Sequence, residues 1–271
     1  MRKVFTTLAA VAAATLLTAG HASAAGTQVY KGTGWQLESS MTASGDGIHS
    51  LNKNATYTIT FADSAARKTL EYYYKPLADW MTKQTGVKFT VSATNLPEPT
   101  ACSTAPIHTI VIGLKTRPMK DKGMSHTSPC YDTRDDTAYG AWIDMDKEYW
   151  DHPGWFSGTG KNTTLDFAMI WNANAHELGH AIGLDHPNTR DSKGVVKPFD
   201  CVKNSAGWRP LMCSPNGGPT NKTGVNYTAY DIAGIKQLVA NYTLPAPAKA
   251  KPKVKAGQPA GVTALPARVS D

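Results

Sequence analysis

Three histidines and one glutamate stand at spacings that can gather a metal ion and a water molecule. They are His176, Glu177, His180 and His186, within the run HELGHAIGLDH. On a helix, residues four apart lie one above the other, so His176 and His180 can reach the same ion. Glu177 is one position round from the first histidine, beside the metal rather than on it, where its carboxylate can take a water proton. Gly183 permits a backbone conformation that ends the helix and swings the chain back, so His186 arrives as a third ligand. Three imidazoles and one open position form the coordination set that catalytic zinc uses. Histidines scattered on an ordinary amphipathic helix would account for a bare H-E-x-x-H. They would not account for Gly183 and His186 in register with it.

The helix that carries these groups must bury its other side. Phe167, Trp171, Ala175, Leu178 and Ile182 fall at helical spacing and form an expected core-facing stripe, with Leu178 opposite both His176 and His180. Upstream, Ala55 to Phe61 alternates as a strand. Asp63 or Ser64 can cap a helix with Ala66, Leu70, Tyr73, Leu77 and Met81 as its stripe. Pro76 should bend or split that helix, and Gly86 ends it. Val87 to Val91, Ile107 to Leu114 and Ala138 to Met145 read as further strands. An edge strand is expected within Gly123 to Asp132. Thr228 and Asp231 form a capping pair for a last helix that buries Ile232, Ile235, Leu238 and Tyr242.

The stretch around the histidines resembles the metzincin clan of zinc endopeptidases, and its wording is nearest the matrixins. Metzincins carry a methionine turn beneath the metal. Of eight methionines here, only Met212 lies beyond the histidine helix, and the resemblance implies that it packs under the site. A second resemblance is to small secreted bacterial proteases of the snapalysin type, which have a disulfide near that turn. Those usually place an aspartate as third ligand, whereas here His186 closes the motif and Asp185 precedes it. The specific match runs from the histidine helix to Met212. The fold it implies is α/β (α+β): a twisted, mostly parallel sheet with an antiparallel edge strand, an active-site helix and a C-terminal helix.

Residues 1–24 read as a secretory signal: Arg2 and Lys3, an apolar run from Leu8 to Leu17, then Ala22-Ser23-Ala24. Residues 25–53 are an extension or short pro-segment, for which a loose terminus is the simpler expectation; Asp46 is its candidate to cap the zinc. Residues 54–244 form the catalytic domain. Residues 245–271, rich in Pro, Ala and Lys, read as a disordered tail. Signal and tail hold most of the formal charge of +7, so the domain between them has no broad basic face for nucleic acid, and no membrane span is expected. The tail offers cations to an anionic cell wall, against the plainer reading of a solvated arm.

Four cysteines in an exported chain suggest two disulfides, and neighbour order favours Cys102–Cys130 and Cys201–Cys213 among the three connectivities. His49, His108, His126 and His152 lack helical partner spacing and read as surface or hydrogen-bonded residues. Asp132, Asp135 and Asp136, or Asp144 and Asp146, offer carboxylates of the kind that hold calcium, the ordinary alternative being a solvated acidic turn. The expectation is a secreted, monomeric, zinc-dependent endopeptidase acting on protein or peptide substrates, with Glu177 as general base. The alternatives are a non-catalytic zinc-containing cell-surface binding module, or a zinc amidase acting on cell-wall peptide.

Overall fold

The alternation expected for the first long strand sets the inward face of the sheet. Tyr57, Ile59 and Phe61 are all buried on Thr56–Phe61. The computed structural model describes residues 26–38, 47–245 and 262–264. The expected signal and Asp46 lie outside them. The elements run β1 (Lys31–Gly32), β2 (Trp35–Leu37), β3 (Thr56–Phe61), α1 (Ser64–Thr85), β4 (Lys88–Val91), β5 (Thr109–Lys115), β6 (His126–Asp132) and β7 (Thr137–Asp146). They continue with α2 (Glu148–Asp151), α3 (Thr164–Ala181), β8 (Leu184–Asp185), α4 (Ala229–Asn241) and β9 (Val262–Ala264).

The large sheet has the order β4-β3-β5-β7-β6-β9. The first four strands are parallel, and β6 pairs antiparallel with β7. The fold is therefore α+β, with a mostly parallel sheet and an antiparallel strand beyond it. β5 shows no alternation and is buried through Gly113, as a central strand covered on both faces must be. α1 lies on β3 and β4, α3 lies on β6 and β7, and the two helices touch. Cys102–Cys130 ties the loop before β5 to β6, and Cys201–Cys213 closes a loop beyond α3. No helix among the described residues is long and apolar enough to cross a membrane.

Several expectations need correction. Pro76 does not split α1, which continues through it. The proline faces solvent, so the carbonyl it leaves unpaired can be hydrated. Ile107 is 63% exposed and precedes β5, and Phe167 is 45% exposed rather than core-facing. The α1 rings Tyr72 and Tyr73 pack on Trp171, leaving Phe167 one turn beyond that layer.

The described parts of the segment expected to be loose, residues 26–38 and 47–53, are woven into the domain. β1 and β2 form a hairpin, and β2 pairs antiparallel with β8. Leu37, Ile48 and Leu51 enter the main core. Gln28 N–H donates to Pro245 O at 3.2 Å, Val29 N–H donates to Asn241 Oδ1 at 3.0 Å, and Asn241 Nδ2 donates to Val29 O at 2.8 Å. Non-local pairing and burial of three large apolar side chains outweigh the flexible composition. Most of the expected disordered tail lies outside the described residues; within it, β9 pairs antiparallel with Cys130–Asp132 on the outer side of β6.

Candidate metal centre

α3 starts from a capping box: Thr163 Oγ1 accepts from Asp166 N, while Asp166 Oδ2 accepts from Thr163 N at 2.8 Å and Thr163 Oγ1 at 2.6 Å. Asp166 Oδ1 also takes the N–H groups of Phe156 and Ser157, at 2.8 and 2.9 Å. Burial alone would raise this carboxyl, but the bonds from Thr163 and Ser157 prevail and hold it well below the usual carboxylate range. The helix start and the loop before it are thereby locked together.

Three turns on, the helix presents His176 and His180 on one face, both buried. Gly183 follows with φ 110°, and a Cβ there would lie 2.2 Å from Ile48 Cγ2, so the turn requires glycine. The chain then delivers His186. The Nε2 atoms of His176 and His186 are 2.9 Å apart, those of His180 and His186 2.9 Å, and those of His176 and His180 3.1 Å. His176 Nδ1 is 3.0 Å from Leu211 O, and His180 Nδ1 is 2.8 Å from Leu184 O. Donation from both Nδ1–H groups to those carbonyls assigns bare lone pairs to the Nε2 atoms of His176 and His180. Convergent lone pairs repel unless a cation stands among them. Zinc bonds of about 2.0–2.1 Å would set tetrahedral nitrogens about 3.3 Å apart, a few tenths of an ångström from what is found. The donor set fits a metal ion such as zinc.

Both carbonyls are themselves held. Asp231, expected only as a helix cap, accepts from Leu211 N at 2.8 Å and Met212 N at 3.1 Å as well as from Thr228 N and Oγ1. Burial raises its carboxyl although those bonds pull the other way. Met212 packs against α3 at Gly179, between His176 and His180: a Cβ added to Gly179 would come 2.4 Å from its sulfur. Opposite, Gln36 Nε2 donates to His186 O, and Asp185 Oδ1 accepts the His186 N–H. Asp185 is thus turned onto backbone, while His186 faces the other histidines.

Glu177 is buried beside the cluster. Thr127 Oγ1, on β6, stands 2.5 Å from Glu177 Oε2 and 3.1 Å from its backbone oxygen. His176 and Glu177 also line a cavity of about 190 Å³ walled by Tyr149, Trp155, Phe156, Asn172 and Leu211. Sequence reasoning found the ligand candidates but missed Thr127, Gln36, Glu38, whose Oε1 lies 3.8 Å from His180 Nδ1, and this aromatic wall, because each meets the site through non-local packing.

None of the other described histidines joins the cluster: His49 stacks on Tyr30, and His152 on Trp155. The acids weighed for calcium have other partners. Asp132 pairs with Arg134, Asp136 with His49, and Asp144 with Lys115, while Asp146 accepts backbone N–H groups from Arg117, Gly123 and Glu148. Among the described residues, the one histidine–acid–thiol group placed to hold a metal is His176, His180 and His186.

No family model matches the chain, and no curated protein does. A solved structure described as the GM1-bound form of the ECX AB5 holotoxin aligns at TM-score 0.38 and 11% identity, over 79% of this chain and 86% of that one. A likeness at that level carries no argument.

Proposed function

We propose that the chain is a secreted metal-dependent endopeptidase of metzincin type, with His176, His180 and His186 as ligands and Glu177 as general base. The observation that carries this reading is the placement of a buried carboxylate one residue from the first of three convergent imidazoles. A site built only to hold a metal has no use for such a group. When bound, zinc would supply Lewis-acid polarisation of a carbonyl and lower the pKa of a water from about 15.7 toward about 7. Glu177 then accepts the proton of the attacking water and passes it to the departing amine. Thr127 holds the carboxylate in place for that exchange. The cavity beside His176 and Glu177 joins the rings of Tyr149, Trp155 and Phe156 to the polar side chains of Lys122, Ser125 and Asn172, so it suits a substrate side chain with both apolar and polar parts.

Glu177→Gln tests the assignment, because an amide keeps the shape but cannot accept the proton. The variant should retain the metal and lose roughly 10²- to 10⁴-fold in hydrolysis of casein or a quenched peptide. Near-wild-type turnover would remove the mechanism. Equal partner or surface binding with no turnover in either protein would favour the binding-module alternative. Sequencing of the cleavage products separates an endopeptidase from an amidase.

A further inference from the structure

We propose that Glu38 is a positioning residue of the metal centre. Its carboxylate holds His180 as a ligand and strengthens the cluster's affinity for a divalent cation. Glu38 is 3% exposed and follows β2 directly. Its Oε1 lies 3.8 Å from His180 Nδ1. The backbone around it cannot easily drift: Glu38 N–H donates to Gly183 O at 3.0 Å, and Leu37 and Gln36 are in register with Leu184 and Asp185. Leu184 supplies the carbonyl that His180 Nδ1 meets at 2.8 Å. One ring nitrogen therefore faces both a backbone dipole and a carboxylate, and its Nε2 is directed at the cluster.

The charge has a physical reason to be there. A buried carboxylate is costly unless hydrogen-bond donors or positive charge stand near it, and a cation in the site supplies the charge. A cation bound at Nε2 draws electron density from the imidazole and makes its Nδ1 side more positive. Burial of Glu38 and loading of the site then relieve each other. A carboxylate behind a ligating histidine typically changes metal affinity about 10- to 100-fold when removed. The N-terminal hairpin thereby becomes part of the metal centre.

This inference rests on the metal-centre reading, so the wild-type full chain is titrated beside the variants. Zinc affinity is measured by competition with a chromophoric chelator for wild type, Glu38→Gln and Glu38→Asp. Thermal unfolding of each metal-free protein and the visible spectrum of each cobalt-loaded protein accompany it. Glu38→Gln should bind zinc about 10- to 100-fold more weakly, keep or raise the metal-free unfolding midpoint, and shift the cobalt bands. Glu38→Asp should recover part of the affinity. Unchanged zinc affinity in Glu38→Gln overturns the proposal, as does weakening matched by a lower metal-free midpoint, which would mark a purely structural residue. A wild-type chain that takes up no zinc would instead overturn the metal centre itself, and this inference with it.

Discussion

His176 and His180 stand one turn apart on the same helix, yet they are steadied from opposite parts of the chain. His176 leans on Leu211, in an irregular stretch fixed by a disulfide, by Asp231 on α4 and by Met212 against α3. His180 leans on Leu184, only four residues away, in a strand of two residues that depends on the N-terminal hairpin. The first support is far in sequence and partly covalent. The second is near in sequence and held by hydrogen bonds and core packing, with no covalent tie. An irregular segment can thus be as well anchored as a regular one when a buried carboxylate and a disulfide take the place of a ladder.

The largest effects should come from the ligands, where the two supports meet. His176→Ala and His186→Ala should each lose zinc on mild dialysis, whereas Asp185→Ala should keep the metal and a substantial part of the activity, by elemental analysis and peptide assay. A metal-free Asp185→Ala beside an active His186→Ala would make the aspartate the third ligand and undo the pairing of supports.

Next comes the covalent support. Replacing Cys201 and Cys213 by serine should cost about 3 kcal/mol, the loop-closure value for the separation of 12 residues between them. Hydrogen exchange should quicken at Leu211 and Met212 but not at Leu184. Equal loosening at Leu184 would show that the two regions unfold as one unit.

Asp231→Asn should follow at about 1–3 kcal/mol, because two acceptor oxygens serve four donors there. Denaturant midpoints would measure it, and a loss below a few tenths of a kcal/mol would mean that the disulfide alone fixes the segment.

The smallest effect belongs to the helix start shared by both ligands. Asp166→Asn should cost about 1–2 kcal/mol at neutral pH. The folded state holds this carboxyl below its unfolded value, so the stabilisation is present above about pH 3.9 and fades as pH falls toward the folded value. Wild type and variant should therefore draw together in acid. A gap that stayed constant from pH 7 to pH 3 would show that charge plays no part.

The sequence made the histidine cluster legible because its geometry is almost wholly local: one helical turn, one glycine and a short return. β3 and the three longer helices were legible for the same reason, through alternation and stripes, and β5 through its apolar, β-branched run. The hairpin was not. β1 and β2 hold two and three residues, too few for a period to show, and β2 finds its partner about 150 positions away. Phe167 kept the angle of the apolar stripe but lay past the end of the layer that would have covered it, which periodicity alone cannot report. Asp231 was visible as a cap, yet its bonds to Leu211 and Met212 depend on a fold that brings the two segments together.

The contacts among Gln28, Val29, Asn241 and Pro245 make the point where the domain begins almost arbitrary as architecture. A short linker joining residues 26 and 245 would close the backbone into a ring with little loop entropy to overcome. The ring could then be reopened at the exposed turn Asp191–Gly194, giving a circular permutant with the same core and the same ligands.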